Sequence, residues 1–123
     1  MDSVSKIELK IVIDNIYEIK SDLYKHLSPI TVNTIITNLP IENRIYKFES
    51  KFIYILTEID TNREKMRRDF KIGDIAFWPN NKAICFFITN CNITSPMNYI
   101  GKIDEDIELI NKLETGKTLR LKK

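Results

Sequence analysis

From position 6 the side chains alternate, with Ile7, Leu9, Ile11 and Ile13 on one face and Lys6, Glu8 and Lys10 on the other. A period of two belongs to a half-buried strand, so residues 6–13 are predicted to form one. Asp14-Asn15 reads as a turn into a second strand over 16–20, followed by a polar connection over 21–27. The period then lengthens. Ser28-Pro29 offers a capping side chain and a proline suited to the first helical turn, and Val32, Ile35, Ile36 and Leu39 recur at helical spacing. A helix ending before Pro40 is expected, with a strand as the competing reading because Thr31, Val32, Thr34, Ile35, Ile36 and Thr37 are all β-branched.

Alternation resumes over 44–49 and 52–58 around Ser50, as in a hairpin. Residues 60–71 are polar and without period, and read as a loop. After Gly73-Asp74 come a strand over 75–78, a turn at Pro79-Asn80-Asn81-Lys82, a strand over 83–89, a loop over 90–96 and a strand over 97–103. Asp104 is placed to cap a helix that turns Ile107, Ile110 and Leu113 inward, Gly116 to end it, and residues 117–121 to form a last strand. About eight strands with two helices predict a mainly β domain spanning residues 1–123, a closed β-barrel of about eight strands with two capping helices.

Composition narrows the classes of function. With 43% hydrophobic and 29% charged residues the chain has the balance of a folded domain, and its net charge of +2 sets up only a weak overall field. Neither a membrane nor a nucleic acid is indicated as a partner, and the cytoplasm is the expected location. Cys85 and Cys91 with the single His26 are too few soft ligands for a zinc site, so no metal or other cofactor is expected. The basic run Arg63, Lys65, Arg67, Arg68 and Lys71 lacks any accompanying aromatic or glycine-rich recognition motif, and reads as a solvated face.

Phe86-Phe87-Ile88-Thr89 after a Gly-led strand and a Pro-Asn turn, then Ile100-Gly101-Lys102-Ile103, an acidic stretch and Gly116-Lys117-Thr118, resemble in order and spacing the C-terminal half of cyclophilins. More closely, Gly73-Asp74-Ile75-Ala76-Phe77-Trp78-Pro79 with Ser95-Pro96-Met97-Asn98 is similar to a family of short, single-domain cyclophilin-like proteins of bacteria and archaea, largely of unknown function. The cyclophilin resemblance implies an apolar pocket for proline and an arginine near its nitrogen, the equipment for isomerising X-Pro bonds. Where that arginine would stand the sequence reads Phe48-Glu49-Ser50-Lys51-Phe52, the pocket glutamines are absent because the chain has none, and Met97 takes the pocket histidine's place.

What the resemblance leaves is a groove. Alternation over 83–89 separates Ile84, Phe86 and Ile88 from Ala83, Cys85 and Phe87. By the resemblance Phe87 lies under the ligand ring, Cys85 replaces a glutamine, and Phe77 and Trp78 contribute backbone to the groove. The expectation is a binding module for a peptide or small apolar ligand, lined by Phe77, Trp78, Cys85, Phe87 and Met97. Its alternative is a weak, non-canonical prolyl isomerase that draws on Arg44, Arg63, Arg67 or Arg68. For Phe87 the competing reading is plain core; for Cys85, a buried small hydrophobe rather than a nucleophile.

Overall fold

The computed structural model describes residues 6–103 and 114–123. Among them ten strands and one α-helix follow in the order β1 (Lys6–Ile13), β2 (Tyr17–Tyr24), α1 (Pro29–Thr37), β3 (Ile41–Arg44), β4 (Tyr46–Phe48), β5 (Phe52–Leu56), β6 (Met66–Phe70), β7 (Asp74–Trp78), β8 (Ala83–Phe87), β9 (Cys91–Ile103) and β10 (Thr118–Lys122). The architecture is mainly β, as the dominant period of two predicts. The second predicted helix, over 104–115, falls largely outside the described residues. Nor is any described helix long and apolar enough to cross a membrane.

All the strands join one antiparallel sheet whose path runs β3-β10-β1-β2-β9-β7-β8-β5-β4, with β6 attached to β9 off the path. The two ends of that path, β3 and β4, are separated in the chain by Ile45 alone. At about 3.8 Å between consecutive Cα atoms, the sheet must therefore curl until its end strands meet, end to end, at Ile45. Among the described residues no ladder joins those ends, so hydrogen bonds do not close the sheet in the way a closed barrel requires. Instead the Asn43 side-chain amide donates across the seam to the Leu56 carbonyl at 2.9 Å.

Two apolar clusters occupy opposite faces of the sheet. One unites side chains from strands far apart along the path, among them Ile11, Leu121, Ile53, Ile84 and Phe86, which places it inside the curl; Val32 and Ile35 of α1 pack into it. The other draws on β5 to β9 only, with Phe52, Phe70, Cys85, Phe87, Met97 and Tyr99, and lies on the outer face.

Three polar stretches take up more regular structure than their patterning suggests. Residues 21–24 extend β2, with Ser21 and Asp22 buried, because β1 and β9 flank this stretch of strand. Residues 66–70, read as loop, form β6 on the edge of β9. Residues 91–96, also read as loop, begin the thirteen-residue β9. Pro96 is tolerated there because the β6–β9 register breaks between Arg67 and Asp69, where a missing N–H interrupts no ladder.

Capping also departs from expectation. The Ser28 hydroxyl makes no cap to its own helix and donates to the Tyr99 carbonyl at 3.0 Å. The free N–H groups of α1 are met from outside: the Glu64 carboxylate accepts from the Ile30 amide at 3.0 Å and from the Thr31 amide and hydroxyl, each at 2.6 Å. A carboxylate at a helix N-terminus satisfies orphan donors and opposes the positive end of the helix dipole.

Candidate functional site

Along β7 and β8 successive side chains point to opposite faces. Ala76, Ala83, Cys85 and Phe87 therefore join the outer cluster, with Trp78 packed against it, while Phe77, Ile84 and Phe86 face inward. The register of Phe52 opposite Phe87 and Tyr54 opposite Cys85 brings the aromatic residues of β5 onto the same outer surface.

Phe87 has no exposed surface. The Phe70 ring stacks on it at a centroid separation of 4.3 Å and an interplanar angle of 11°, and Phe52 lies 5.1 Å from it. Cys85 is equally enclosed, and burial pushes its thiol pKa well up, which leaves it protonated and inert. Nearer the surface Trp78 is half-buried and meets Phe52 and Phe48 edge-on at 5.7 and 5.8 Å. Its indole Nε1 is buried and has no acceptor.

Above this layer a cavity of about 220 Å³ opens between the β4–β5 hairpin and the first half of β9. Its apolar walls are Phe48, Phe52, Trp78, Ile93 and Met97; Glu49, Lys51, Thr94 and Ser95 supply the polar part. The ion pair between Lys51 and Glu49, at 3.5 Å, lies within that polar part. Of the five residues read from sequence, Trp78 and Met97 line the cavity and Cys85 and Phe87 form the buried layer beneath it. Phe77 sits on the opposite face, because it is Trp78's neighbour on a strand.

Phe48, Phe52 and Ile93 went unrecognised in the sequence. The signal for the first two was present: Tyr46 and Phe48, and Phe52 and Tyr54, alternate about the Glu49-Ser50-Lys51 turn. In the hairpin they pair face to face, with Phe48 stacked on Phe52 at 5.0 Å and Tyr46 on Tyr54 at 5.7 Å. Ile93 gave none, since it lies in a polar stretch whose strand character comes from β6.

The four arginines considered for this face separate. The Arg67 guanidinium lies 4.3 Å over the Tyr99 ring and 5.7 Å from Phe70. Arg68 donates through Nε to the Thr94 carbonyl at 3.2 Å and so steadies one wall of the cavity. Arg44 is exposed on β3, and Arg63 lines a separate polar depression with Asp60 and Asn80. Beside Arg67, the Tyr99 hydroxyl bonds to the Asp74 carboxylate; burial foremost, then the Asp74 charge, push its pKa up to about 12.

A profile described as Cyclophilin-like matches residues 7–122. Among solved structures, the solution structure of the hypothetical protein AF2241 from Archaeoglobus fulgidus is similar, with 27% identity, 96% of this chain and 95% of that chain covered, and a TM-score of 0.76. The structure of McbB in complex with tryptophan has a TM-score of 0.79 at 13% identity; the likeness covers 94% of this chain and 44% of that one, and is one of fold. No curated protein matches the sequence.

Proposed function

The chain belongs to the cyclophilin-like family, and from that premise we propose that it is a peptide-binding module whose outer-face cavity receives one apolar side chain of an extended partner segment. The observation that carries this reading is the size and make-up of the cavity. At about 220 Å³ it falls below the roughly 300–1,000 Å³ of sites that enclose a whole small molecule, so it suits a single ring or branched side chain. Three of its nine lining residues, Phe48, Phe52 and Trp78, are aromatic, and such rings offer large contact area at little cost in conformational entropy.

The strand next to the cavity supports the same reading. β4 ends the sheet path, and among the described residues its outer edge has no ladder partner. An extended segment added there would gain main-chain hydrogen bonds while its alternate side chains reached the cavity, the usual division between affinity and specificity in strand addition. Tyr46 and Phe48, on that strand, are 40% and 36% exposed.

A two-dimensional NMR titration with short Ala-Pro, Ala-Leu and Ala-Phe peptides tests the proposal. Expected are shifts of the Trp78 indole and Met97 methyl signals, weakened about tenfold or more in Phe48→Ala, a loss typical of an anchoring aromatic. Accelerated exchange between the cis and trans peaks of the Ala-Pro peptide would replace this reading with a non-canonical prolyl isomerase. Silence of both signals at millimolar peptide would end it.

A further inference from the structure

Away from the aromatic cavity, the C-terminal end of α1 and the last residues of β10 border a depression of about 480 Å³. Its lining is of two kinds. Ile36, Leu39 and Pro40 give an apolar floor, and Arg120, Lys122 and Lys123 give three cations; none of the lining residues is acidic. Ile36 and Leu39 are half-buried and packed on the interior cluster, so the floor is backed by the core. The volume lies within the range of small-molecule sites, unlike that of the aromatic cavity.

Among the described residues no ion pair engages the cations there. Lys122 stands directly opposite Lys10 in the β1–β10 register, a cross-strand pairing of like charges that disfavours the sheet. Among the described residues no carboxylate lies within ion-pair distance of Lys10, Lys122 or Lys123. Glu42 faces Arg120 across the β10–β3 pairing without forming an ion pair to it. The Arg120 guanidinium donates to the Asn15 side-chain oxygen at 3.2 Å, and its buried Nε–H finds no acceptor. Of the five donors of this planar fork, one is thus bonded to Asn15 and the buried Nε–H is orphaned.

We propose that this depression binds an anionic amphiphile: a small molecule with a carboxylate or phosphate head held by Arg120, Lys122 and Lys123, and an alkyl or aryl body lying on Ile36, Leu39 and Pro40. Each half of the lining favours an amphiphile over a simpler occupant. An inorganic anion would leave the apolar floor wet, and a neutral apolar molecule would make no use of the three cations. The lysine stems add to the floor, since their methylenes lie along apolar surface while the ammonium groups reach the head.

The test is titration of the full chain with octanoate, octyl phosphate, 1-octanol and inorganic phosphate, followed by backbone amide NMR and calorimetry. Octanoate or octyl phosphate should shift the Ile36 and Leu39 amides. In Lys122→Gln/Lys123→Gln the affinity should fall about fivefold or more, the scale of losing partly exposed charge contacts. Lys65→Gln, remote from the depression, should bind as the parent does, and matched thermal unfolding of all three proteins would show that the fold is intact. Equal affinity for octanol would overturn the role of the cations, and equal affinity for inorganic phosphate would overturn the role of the floor. Absence of shifts from every probe would overturn the site.

Discussion

Adjacent residues on β7 and β8 have opposite neighbours, and this separates substitutions that report on stability from those that report on recognition. Phe87 is wholly enclosed between Phe52 and Phe70, so Phe87→Ala should cost about 3–5 kcal/mol in chemical denaturation, the range for a core phenylalanine. Phe48, 36% exposed, should lose its peptide contact in Phe48→Ala while stability falls by about 1 kcal/mol or less. The two cysteines divide in the same way. Cys85 is buried, whereas Cys91 is partly exposed and the nearby Lys51 charge offsets some of the upward effect of burial on its thiol. A thiol reagent should therefore modify one cysteine in the native protein and both after unfolding. Tyr99 gives a signature in alkali. Its pKa is raised to about 12 in the folded protein against about 10 in an unfolded chain, so the folded state keeps the proton where the unfolded state gives it up. The stability tied to this hydroxyl is complete below pH ~10 and is lost as pH rises toward 12. Melting temperatures recorded across that window should fall less steeply in Tyr99→Phe than in the parent.

At the scale of elements, α1 shows how a residue distant in sequence can hold a helix. Glu64 reaches back to the Ile30 and Thr31 amides, while its own amide donates to Asn98 Oδ1 at 2.8 Å. Asn98, fully buried, donates in turn to Thr31 Oγ1 at 3.1 Å and to the Asn62 carbonyl at 3.0 Å. Glu64→Ala should cost about 1–2 kcal/mol in urea denaturation, and Thr31→Val combined with it should cost less than the sum of the two, because both remove the same contacts. This network also marks where sequence stops being informative. The strands with clean alternation, β1 and the β4–β5 hairpin, were legible, and so was the helix, because local period and a starting Ser-Pro encode them. The source of the cap was not, since Glu64 lies in a polar stretch with no period. β6 and the first half of β9 were equally hidden: each becomes a strand by pairing with the other, and a polar pair at a sheet edge leaves no apolar stripe. The candidate site divides along the same line. Trp78 and Met97 were named through the resemblance alone, and both line the cavity. The cavity itself depends on Phe48 and Phe52 meeting across a turn, and on Ile93 being brought in by strand pairing.

Over the whole molecule, two places decide whether the curled sheet holds. At the seam the ends of the path are joined by chain connection and by the Asn43 side chain, without a ladder. Asn43→Ala should therefore raise hydrogen exchange in β3 and β5 locally while slowly exchanging amides in β1 and β9 stay protected, as expected of a region that opens below the global unfolding free energy. The opposite situation holds at Gly101. This residue pairs with Leu23 of β2 on one side and Ile75 of β7 on the other, so it lies on the strand that ties the two halves of the sheet together. A Cβ added there would lie 2.0 Å from the Asp22 carbonyl oxygen and 3.0 Å from the Leu23 Cα, both of them backbone atoms that cannot swing aside. Only glycine permits so close an approach. Gly101→Ala should cost more than about 4 kcal/mol, enough to leave little folded protein by amide NMR. Gly116→Ala supplies the control. Its added Cβ meets nothing within 4 Å, and the penalty is limited to the strain of an L-residue at φ +93°, of the order of 1–2 kcal/mol. If Gly101→Ala were no worse than Gly116→Ala, β2 and β9 would have room to separate, and the sheet would not depend on this contact to keep its two halves in register.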